Sequence, residues 1–384
     1  MEPDSTSDSR EPQNAASHNS AHPMRFEGKT GEFFAIWIVN VLLSIVTVGI
    51  YSAWAKVRTT RYFYSNTYLN DSAFEYTADP VKILKGRLLA AGLFLAIQLA
   101  AYLAPVVSDI AFLLLMLAFP ALLVLALRFR MHYTRWRGIR FVFAPDFTGA
   151  YVLFIPLIAY AAVVALLSLA APSEITEENS GDPMLLWIFY GVMTAAGIVA
   201  LLFPWWQNRY YRFIGNRTSF GQQSFTYTGG CGGFYLFYAF AGATVVAGIG
   251  GYAGLNYLGS DFLAPSVQKI LPFVLIGTAY AAAMAYILTA RNNLIYSRIQ
   301  LGEVSMESRL RFPRMCYLYL TNTIAIVLSL GLAIPWAKIR MAHYRAETFT
   351  VYAPSFDDFV GAAATEQQAT AEDMSEVFAW DFGL

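Results

Sequence analysis

Charged residues are scarce in this sequence. Only 14% of its 384 residues are Asp, Glu, Lys or Arg, and 57% are hydrophobic. Soluble domains carry about 25% charged residues, so the composition excludes an ordinary soluble domain and predicts a membrane protein. The 26 basic and 26 acidic residues cancel. The chain therefore lacks the net positive field that gathers nucleic acid, and no nucleic-acid partner is expected.

Thiols and imidazoles are scarce as well. The two cysteines, Cys231 and Cys316, are far apart and have no second thiol or histidine at metal-ligand spacing. This spacing predicts neither a disulfide framework nor a zinc site. The four histidines lie in the N-terminal segment and in basic loops. Since no acid, base and nucleophile form a catalytic constellation, we expect a non-enzymatic protein with no cofactor and no metal.

Apolar sequence is abundant, and it comes in runs of about 20 residues, the length that crosses the hydrocarbon core of a bilayer. About eight such runs predict an all-α polytopic membrane protein. They cover roughly 33–55, 87–107, 110–127, 150–171, 184–206, 234–258, 270–290 and 317–337. Long basic loops alternate with short loops that are poor in Lys and Arg. The positive-inside rule places the long basic loops in the cytoplasm.

The chain divides into three regions by composition. Residues 1–24 are rich in Ser, Asn, Pro and acids and predict a disordered N-terminal tail. Residues 25–362 form the predicted membrane domain with internal repeats. Residues 363–384 are acidic and predict a second tail.

One motif occurs near both ends of the membrane domain, as "GIYSAWAKVR" at 49–58 and "GLAIPWAKIR" at 331–340. At a shift of 282 residues, the first and last apolar segments also match at Asn40 and Asn322. Matched elements are expected to have the same role on the same side of the membrane. Both motifs lie on the cytoplasmic side if each segment enters and leaves the membrane there, as a re-entrant helix broken near the asparagine or the following glycine. The alternative is two ordinary spans, with the last one violating the positive-inside rule.

A weaker repeat, at a shift of 151 residues, aligns Trp54 with Trp205 and Arg58 with Arg209. In both places a polar turn and an alternating "FEYT" or "FTYT" follow, and "WRGIRFVFAPDF" at 136–147 resembles the same pattern. Alternation of aromatic and polar residues is typical of strands. We predict short β-hairpins on the cytoplasmic face, one in each basic loop, which either stand apart or assemble together.

Two groups of residues are candidates for function. In the first, tryptophan sits at headgroup level and the basic residues beyond it reach lipid phosphates. This interfacial motif comprises Trp54, Lys56, Arg58, Trp205, Arg209, Trp336, Lys338 and Arg340. It either anchors the protein or recognises an anionic lipid headgroup. The second group is the intramembrane polar pair Asn40 and Asn322, which either joins helices by hydrogen bonds or contacts a solute.

The segments "GEFFAIWIVNVLLSIVTVGIYSAWAKVRTTRYFYSNTYLNDSAFEYTADPVKILKGRLLA" and "YLYLTNTIAIVLSLGLAIPWAKIRMAHYRAETF" resemble the YjgN family of bacterial inner-membrane proteins. The resemblance covers about 26–362. It implies a multi-pass protein of the bacterial inner membrane, and it brings no activity, ligand or catalytic residue. The middle copy departs from the pattern, because "PWWQNR" replaces the outer "WAKVR" and "WAKIR".

The leading functional hypothesis is a non-enzymatic membrane module for binding or permeation. Its basic cytoplasmic face would meet anionic lipid or a small solute. The alternatives are an uncoupled channel or transporter, a membrane enzyme that acts on lipid, and a structural or partner-binding protein. The apolar runs have no Asp, Glu, Lys, Arg or His in their cores, which disfavours ion-coupled transport. Membrane lipid is the expected partner, and the sequence names no protein partner.

Overall fold

The computed structural model describes residues 20–103, 105–170, 183–257, 264–354 and 356. Helices and strands follow one another in a regular order. The helices are α1 (Thr30–Val46), α2 (Ser52–Ser65), α3 (Pro80–Leu103), α4 (Pro105–His132), α5 (Phe147–Ala170), α6 (Pro183–Arg217), α7 (Gly232–Tyr257), α8 (Pro265–Tyr296), α9 (Phe312–Leu328) and α10 (Ile334–Glu347). The strands are β1 (Ser20–Pro23), β2 (Arg25–Phe26), β3 (Thr67–Leu69), β4 (Ser72–Tyr76), β5 (Thr134–Trp136), β6 (Ile139–Phe143), β7 (Thr218–Phe220), β8 (Gln223–Tyr227), β9 (Ile299–Leu301), β10 (Val304–Ser308) and β11 (Phe349–Ala353).

Six helices in the described part of the chain, α3 to α8, are long and apolar enough to cross a membrane. Each packs against the next helix along the chain, most extensively α7 against α8 and α4 against α5. The chain is therefore a multi-pass helical membrane protein, as the sequence predicts. The predicted number of eight spanning segments is wrong, because the first and last apolar runs are each divided by a turn.

Both divided runs form short helical hairpins with the same turn at the tip. Gly49 (φ 87°) and Gly331 (φ 94°) have left-handed backbone conformations, which glycine adopts without steric cost. The Gly49 N–H donates to the Ser44 carbonyl (2.7 Å), and the Gly331 N–H donates to the Ile326 carbonyl (2.8 Å). The second helix of each hairpin, α2 or α10, runs back beside the first, α1 or α9.

The two ends of each short hairpin meet again at its base. The Lys29 N–H donates to the Tyr62 hydroxyl (2.8 Å), and the Arg311 N–H donates to the Tyr344 hydroxyl (2.8 Å). Each pair joins the residue before the first helix to the last part of the second helix. Of the two alternatives from the sequence, the structure therefore has the one in which each segment returns to the side from which it started. The break lies at the glycine rather than at the asparagine.

The basic loops do form β-hairpins, but these hairpins do not stand alone. All eleven strands belong to one antiparallel sheet, in the order β1-β11-β10-β9-β8-β7-β6-β5-β4-β3-β2. The four complete hairpins have two-residue turns, and residues with positive φ, such as Asn70 and Gly302, fit such tight turns. The all-α fold class must therefore be corrected, because single-strand patterns do not reveal that separate loops pair with one another.

One continuous segment closes this sheet into a ring. Ser20–Pro23 pairs with β11, and Arg25–Phe26 pairs with β3 at the opposite end of the strand order. Met24 lies between the two ladders and donates its N–H to the Phe349 carbonyl (3.0 Å). The predicted N-terminal tail of residues 1–24 is therefore wrong for its last five residues. The rest of that tail and the predicted acidic tail, 363–384, lie outside the described residues.

The closed ring has a pseudo-fivefold arrangement. Each unit consists of a helix, two strands and a second helix, and the strands of the fifth unit come from the two ends of the chain. All five connections through strands lie at the same end of the helices. The sheet therefore forms a barrel below the helices, and the six spanning helices and two short hairpins rise from its rim.

The far end of the barrel is filled by a packed apolar cluster, here called the floor. It consists of Leu69, Trp136, Ile139, Phe220, Leu301, Val304, Val351, Ala353 and Phe356. Phe356 crosses the ring, since its side chain contacts His22 (ring centroids 4.7 Å apart) and Trp136 (5.2 Å apart). A barrel of about eight strands is just filled by its side chains. This wider ring needs the floor to close it and leaves space above.

Candidate functional site

A cavity of about 1900 Å³ lies on the axis of the ring, above the floor. Its lower wall includes a collar to which each of the five strand units contributes an apolar side chain. This apolar collar consists of Met24, Phe74, Phe141, Phe225 and Met306. The upper wall is formed by helices, mainly α2, α3, α4, α8 and α10. The cavity therefore joins the inside of the barrel to the membrane-spanning part of the molecule.

The charged side chains on the cavity wall all have the same sign. This basic belt consists of Lys56, Arg87, Arg130, Arg291, Lys338 and Arg345. No Asp or Glu lines the cavity in the part of the chain that the structure describes. Uncompensated like charges facing one space repel one another, and their repulsion falls when an anion enters between them.

Lys56 and Lys338 come from the two copies of the "WAK" motif and both face the cavity. Partial burial lowers the pKa of Lys338 below its ordinary value, and the nearby charge of Lys56 lowers the pKa further. The two ammonium groups therefore lie close enough to destabilise each other. Neither lysine forms an ion pair within the described ranges.

The remaining belt residues come from several elements. Arg130 lies in the last turn of α4, and Arg345 lies in the last turn of α10. Arg291 projects from α8 at a deeper level, and its Nε atom is buried with no hydrogen-bond partner. An unpaired donor of this kind costs free energy when it is shut away from water.

Above the belt, the cavity continues as an apolar groove between α3 and α4. Its α3 side carries Ile83, Gly86, Ala90, Leu93 and Ile97, which follow one another at intervals of three and four residues and so share one helix face. Its α4 side carries Leu115, Leu122 and Ala126. Leu93 is 51% exposed and Leu122 is 41% exposed. The groove therefore has an accessible apolar surface on both of its helices.

The structure divides the interfacial motif that the sequence predicts. The two lysines line the cavity, whereas Trp54, Arg58, Trp205, Arg209, Trp336 and Arg340 are not part of its wall. In the middle copy Gln207 replaces the lysine. It is buried, and its Oε1 atom accepts a hydrogen bond from the Tyr238 hydroxyl (3.1 Å). In the middle and last copies the arginine packs on the tryptophan, with Arg209 over the Trp205 ring (5.3 Å to the centroid) and Arg340 over the Trp336 ring (5.0 Å).

The asparagine pair lies inside the short hairpins, where it joins their two helices. Asn322 Oδ1 accepts a hydrogen bond from Arg340 Nη1 (3.2 Å), and this arginine also donates to Thr321 Oγ1 (2.6 Å). Asn40 Nδ2 donates to Thr59 Oγ1 over a longer distance of 3.4 Å. The Asn40 Oδ1 atom is buried without a partner. Neither asparagine lines the cavity.

Four belt residues, Arg87, Arg130, Arg291 and Arg345, were not singled out from the sequence. The sequence does contain a spacing that marks two of them. Arg130 and Arg345 both stand four residues before the first residue of the strand that follows, Thr134 or Phe349. The fivefold register is needed to see this equivalence, and only the closed ring reveals the register.

The sequence matches a known protein family over most of its length. Residues 21–377 match the model of a family described as "Bacterial protein of unknown function (DUF898)". Inner membrane protein YjgN of Salmonella typhimurium is 25% identical over 363 residues, which cover 87% of this chain and 89% of that protein. Inner membrane protein YjgN of Escherichia coli K12 is 24% identical over 354 residues, which cover 85% and 87%.

These matches agree with the architecture of six spanning helices and confirm the resemblance found in the sequence. No solved structure matches the chain. The family match extends from the strand that closes the ring to beyond the floor. The chain is thus a multi-pass integral membrane protein that belongs to the DUF898 family of bacterial proteins of unknown function and is similar to the YjgN inner membrane proteins.

Proposed function

We propose that this protein is a membrane-embedded binding module for a phosphate-bearing anion, which it holds in the central cavity. The observation that supports the proposal is the basic belt, in which six cations and no described acid face one space. Arginine and lysine are the residues with which proteins bind phosphate oxygens, arginine with its planar fork and lysine as a point charge. The cavity volume is sufficient for a small ligand.

The floor favours binding over open permeation. The large apolar side chains of the floor, including the buried Trp136 and Phe220, fill the barrel below the cavity. An ion would have to displace them to pass along the axis of the barrel. A permanently open channel along that axis would need a wet, continuous path, and the packed floor argues against one.

We also propose that the barrel and the basic loops lie on the cytoplasmic side of the inner membrane. The support is the concentration of Lys and Arg at the end of the helices where the sheet lies, together with the positive-inside rule. In that orientation the basic belt lies at the cytoplasmic end of the spanning helices. Anionic headgroups of the inner leaflet then lie at the same level.

Calorimetric titration of the purified protein with inorganic pyrophosphate, in a neutral detergent, tests the binding proposal. Each basic residue near a phosphate contributes about 1 kcal/mol, so the double variant Lys56→Ala, Lys338→Ala should bind about thirtyfold more weakly. The matched control is Lys85→Ala, Lys269→Ala, which removes the same charge from exposed positions outside the cavity. Equal affinity in the wild type and in both double variants would show that the belt is not the binding site.

A further inference from the structure

The cavity has two chemically different parts that adjoin. The basic belt extends from Arg130 and Arg345, in the last turns before the sheet, to Lys56 and Lys338 farther from it, and the apolar groove between α3 and α4 adjoins it. Arg87 lies on α3, beside Gly86 and close to Ala90 on the groove stripe. A charged region and an apolar region in one continuous space are complementary to an amphiphile rather than to a simple ion.

The length of the groove fits one leaflet of a bilayer. From Arg87 to Ile97 the α3 helix rises by about 15 Å, at about 1.5 Å for each residue. This rise is half of the hydrocarbon core of a bilayer, which is about 30 Å thick. A lipid whose headgroup lies at Arg87 would therefore have its acyl chain beside the groove over its whole length.

Small residues make room at the junction of the two parts. Gly86 and Ala90 on α3 and Ala126 on α4 line the cavity where the groove meets the belt. Larger side chains at these positions would fill the space between the helices. Farther up, Leu93 and Phe94 are 51% and 61% exposed, so the rest of the protein leaves much of their apolar surface uncovered there. A ligand can thus enter sideways from the bilayer.

We infer that the ligand is an anionic phospholipid that enters from the bilayer between α3 and α4, with its phosphate in the basic belt and an acyl chain along the groove. This inference rests on the proposed function, because it names the source of the anion. The charge of the belt selects an anionic headgroup over a zwitterionic one. The groove selects a lipid over a soluble phosphate.

The test measures how much lipid the delipidated protein retains after incubation with phosphatidylglycerol or phosphatidylcholine, by mass spectrometry of the intact complex. The wild type should retain phosphatidylglycerol at least about tenfold more strongly than phosphatidylcholine. Ala90→Trp fills the groove beside Arg87 and should reduce retention of phosphatidylglycerol about tenfold. The matched control Ala243→Trp changes an exposed alanine of α7 outside the cavity and should behave like the wild type.

A second titration, with soluble glycerol 3-phosphate, separates this inference from the proposed function. If Ala90→Trp retains phosphatidylglycerol as Ala243→Trp does, while Lys56→Ala, Lys338→Ala loses glycerol 3-phosphate, the belt binds a soluble anion and the lipid inference is wrong. If the lysine variant loses neither ligand, the proposed function fails as well. Loss of lipid with unchanged binding of glycerol 3-phosphate in Ala90→Trp supports the inference. Equal retention of the two lipids by the wild type contradicts it.

Discussion

Lys56 and Lys338 are equivalent residues of two motif copies 282 positions apart, and they face the same cavity closely enough that the charge of one lowers the pKa of the other. Their helices, α2 and α10, are brought together because the strand segment 20–26 joins the first hairpin of the ring to the last strand. The repeated motif therefore places lysines from two distant parts of the chain on the wall of one cavity. Closure of the ring is the condition for that site.

The first prediction concerns the protonation of this pair. Lys56→Ala should raise the pKa of Lys338 towards its ordinary value of 10.5, because it removes the neighbouring positive charge and leaves only the effect of burial. The pH dependence of reductive methylation at Lys338, followed by peptide mass spectrometry, measures the shift. Lys85→Ala is the control, since Lys85 lies outside the cavity wall. An unchanged profile in Lys56→Ala would mean that the two ammonium groups do not interact.

The lowered pKa of Lys338 also determines how its contribution to protein stability changes with pH. A lysine with a lowered pKa in the folded state holds fewer protons than the unfolded chain, between the lowered pKa and 10.5. Stability contributed by this group therefore rises with pH through that window and is lowest below it. Anion binding should change in the opposite direction, because it weakens as Lys338 loses its proton.

The membrane architecture could be predicted from the sequence in part. The six spans from α3 to α8 follow from apolar runs alone, since length and hydrophobicity suffice to identify them. The same measure counts 33–55 and 317–337 as spans, although each contains a glycine in a left-handed turn. The length of an apolar run does not show whether the chain reverses its direction within that run. The repeat at a shift of 282 residues did raise the re-entrant alternative.

Only part of the candidate site could be predicted from the sequence. The repeated motif identified Lys56 and Lys338, but it placed them with Trp54, Arg58 and Trp336 in one interfacial group. Which of these side chains faces the axis depends on how each helix is rotated in the ring. Pairing between strands of different loops sets that rotation, and strand patterns do not specify partners. Arg291 was missed for the same reason.

The second prediction contrasts the two asparagines. Asn322→Leu removes an acceptor of the Arg340 guanidinium and should destabilise the protein by about 1.5–3 kcal/mol, as expected for a hydrogen bond to a charged group. Asn40→Leu should cost less than about 1 kcal/mol, because it removes a buried oxygen that already lacks a partner, together with one long hydrogen bond. Thermal unfolding in detergent compares the two variants. Equal losses would refute the asymmetry.

The third prediction concerns the floor of the barrel. Trp136 is 3% exposed and contacts Phe220 and Phe356 across the ring. Trp136→Ala should lower the free energy of unfolding by about 3–5 kcal/mol, because it opens a cavity in the packed apolar floor. Val142→Ala in the adjacent β6 is the control, since Val142 is 47% exposed and points away from the floor. A similar loss of thermal stability in both variants would mean that the floor does not hold the barrel together.

The last prediction concerns membrane topology. In a background that lacks Cys231 and Cys316, single cysteines at Ser65 and Glu347 should react with a membrane-impermeant thiol reagent only after the cells are permeabilised. Both residues are exposed at the sheet end of a short helical hairpin. A cysteine at Tyr257, exposed at the opposite end of α7, should react in intact cells. Labelling of positions 65 and 347 from opposite sides would contradict the hairpins, because both of their ends lie at the barrel. Labelling of both in intact cells, with position 257 protected, would keep the hairpins and place the basic belt on the outer side, where the positive-inside rule does not put it.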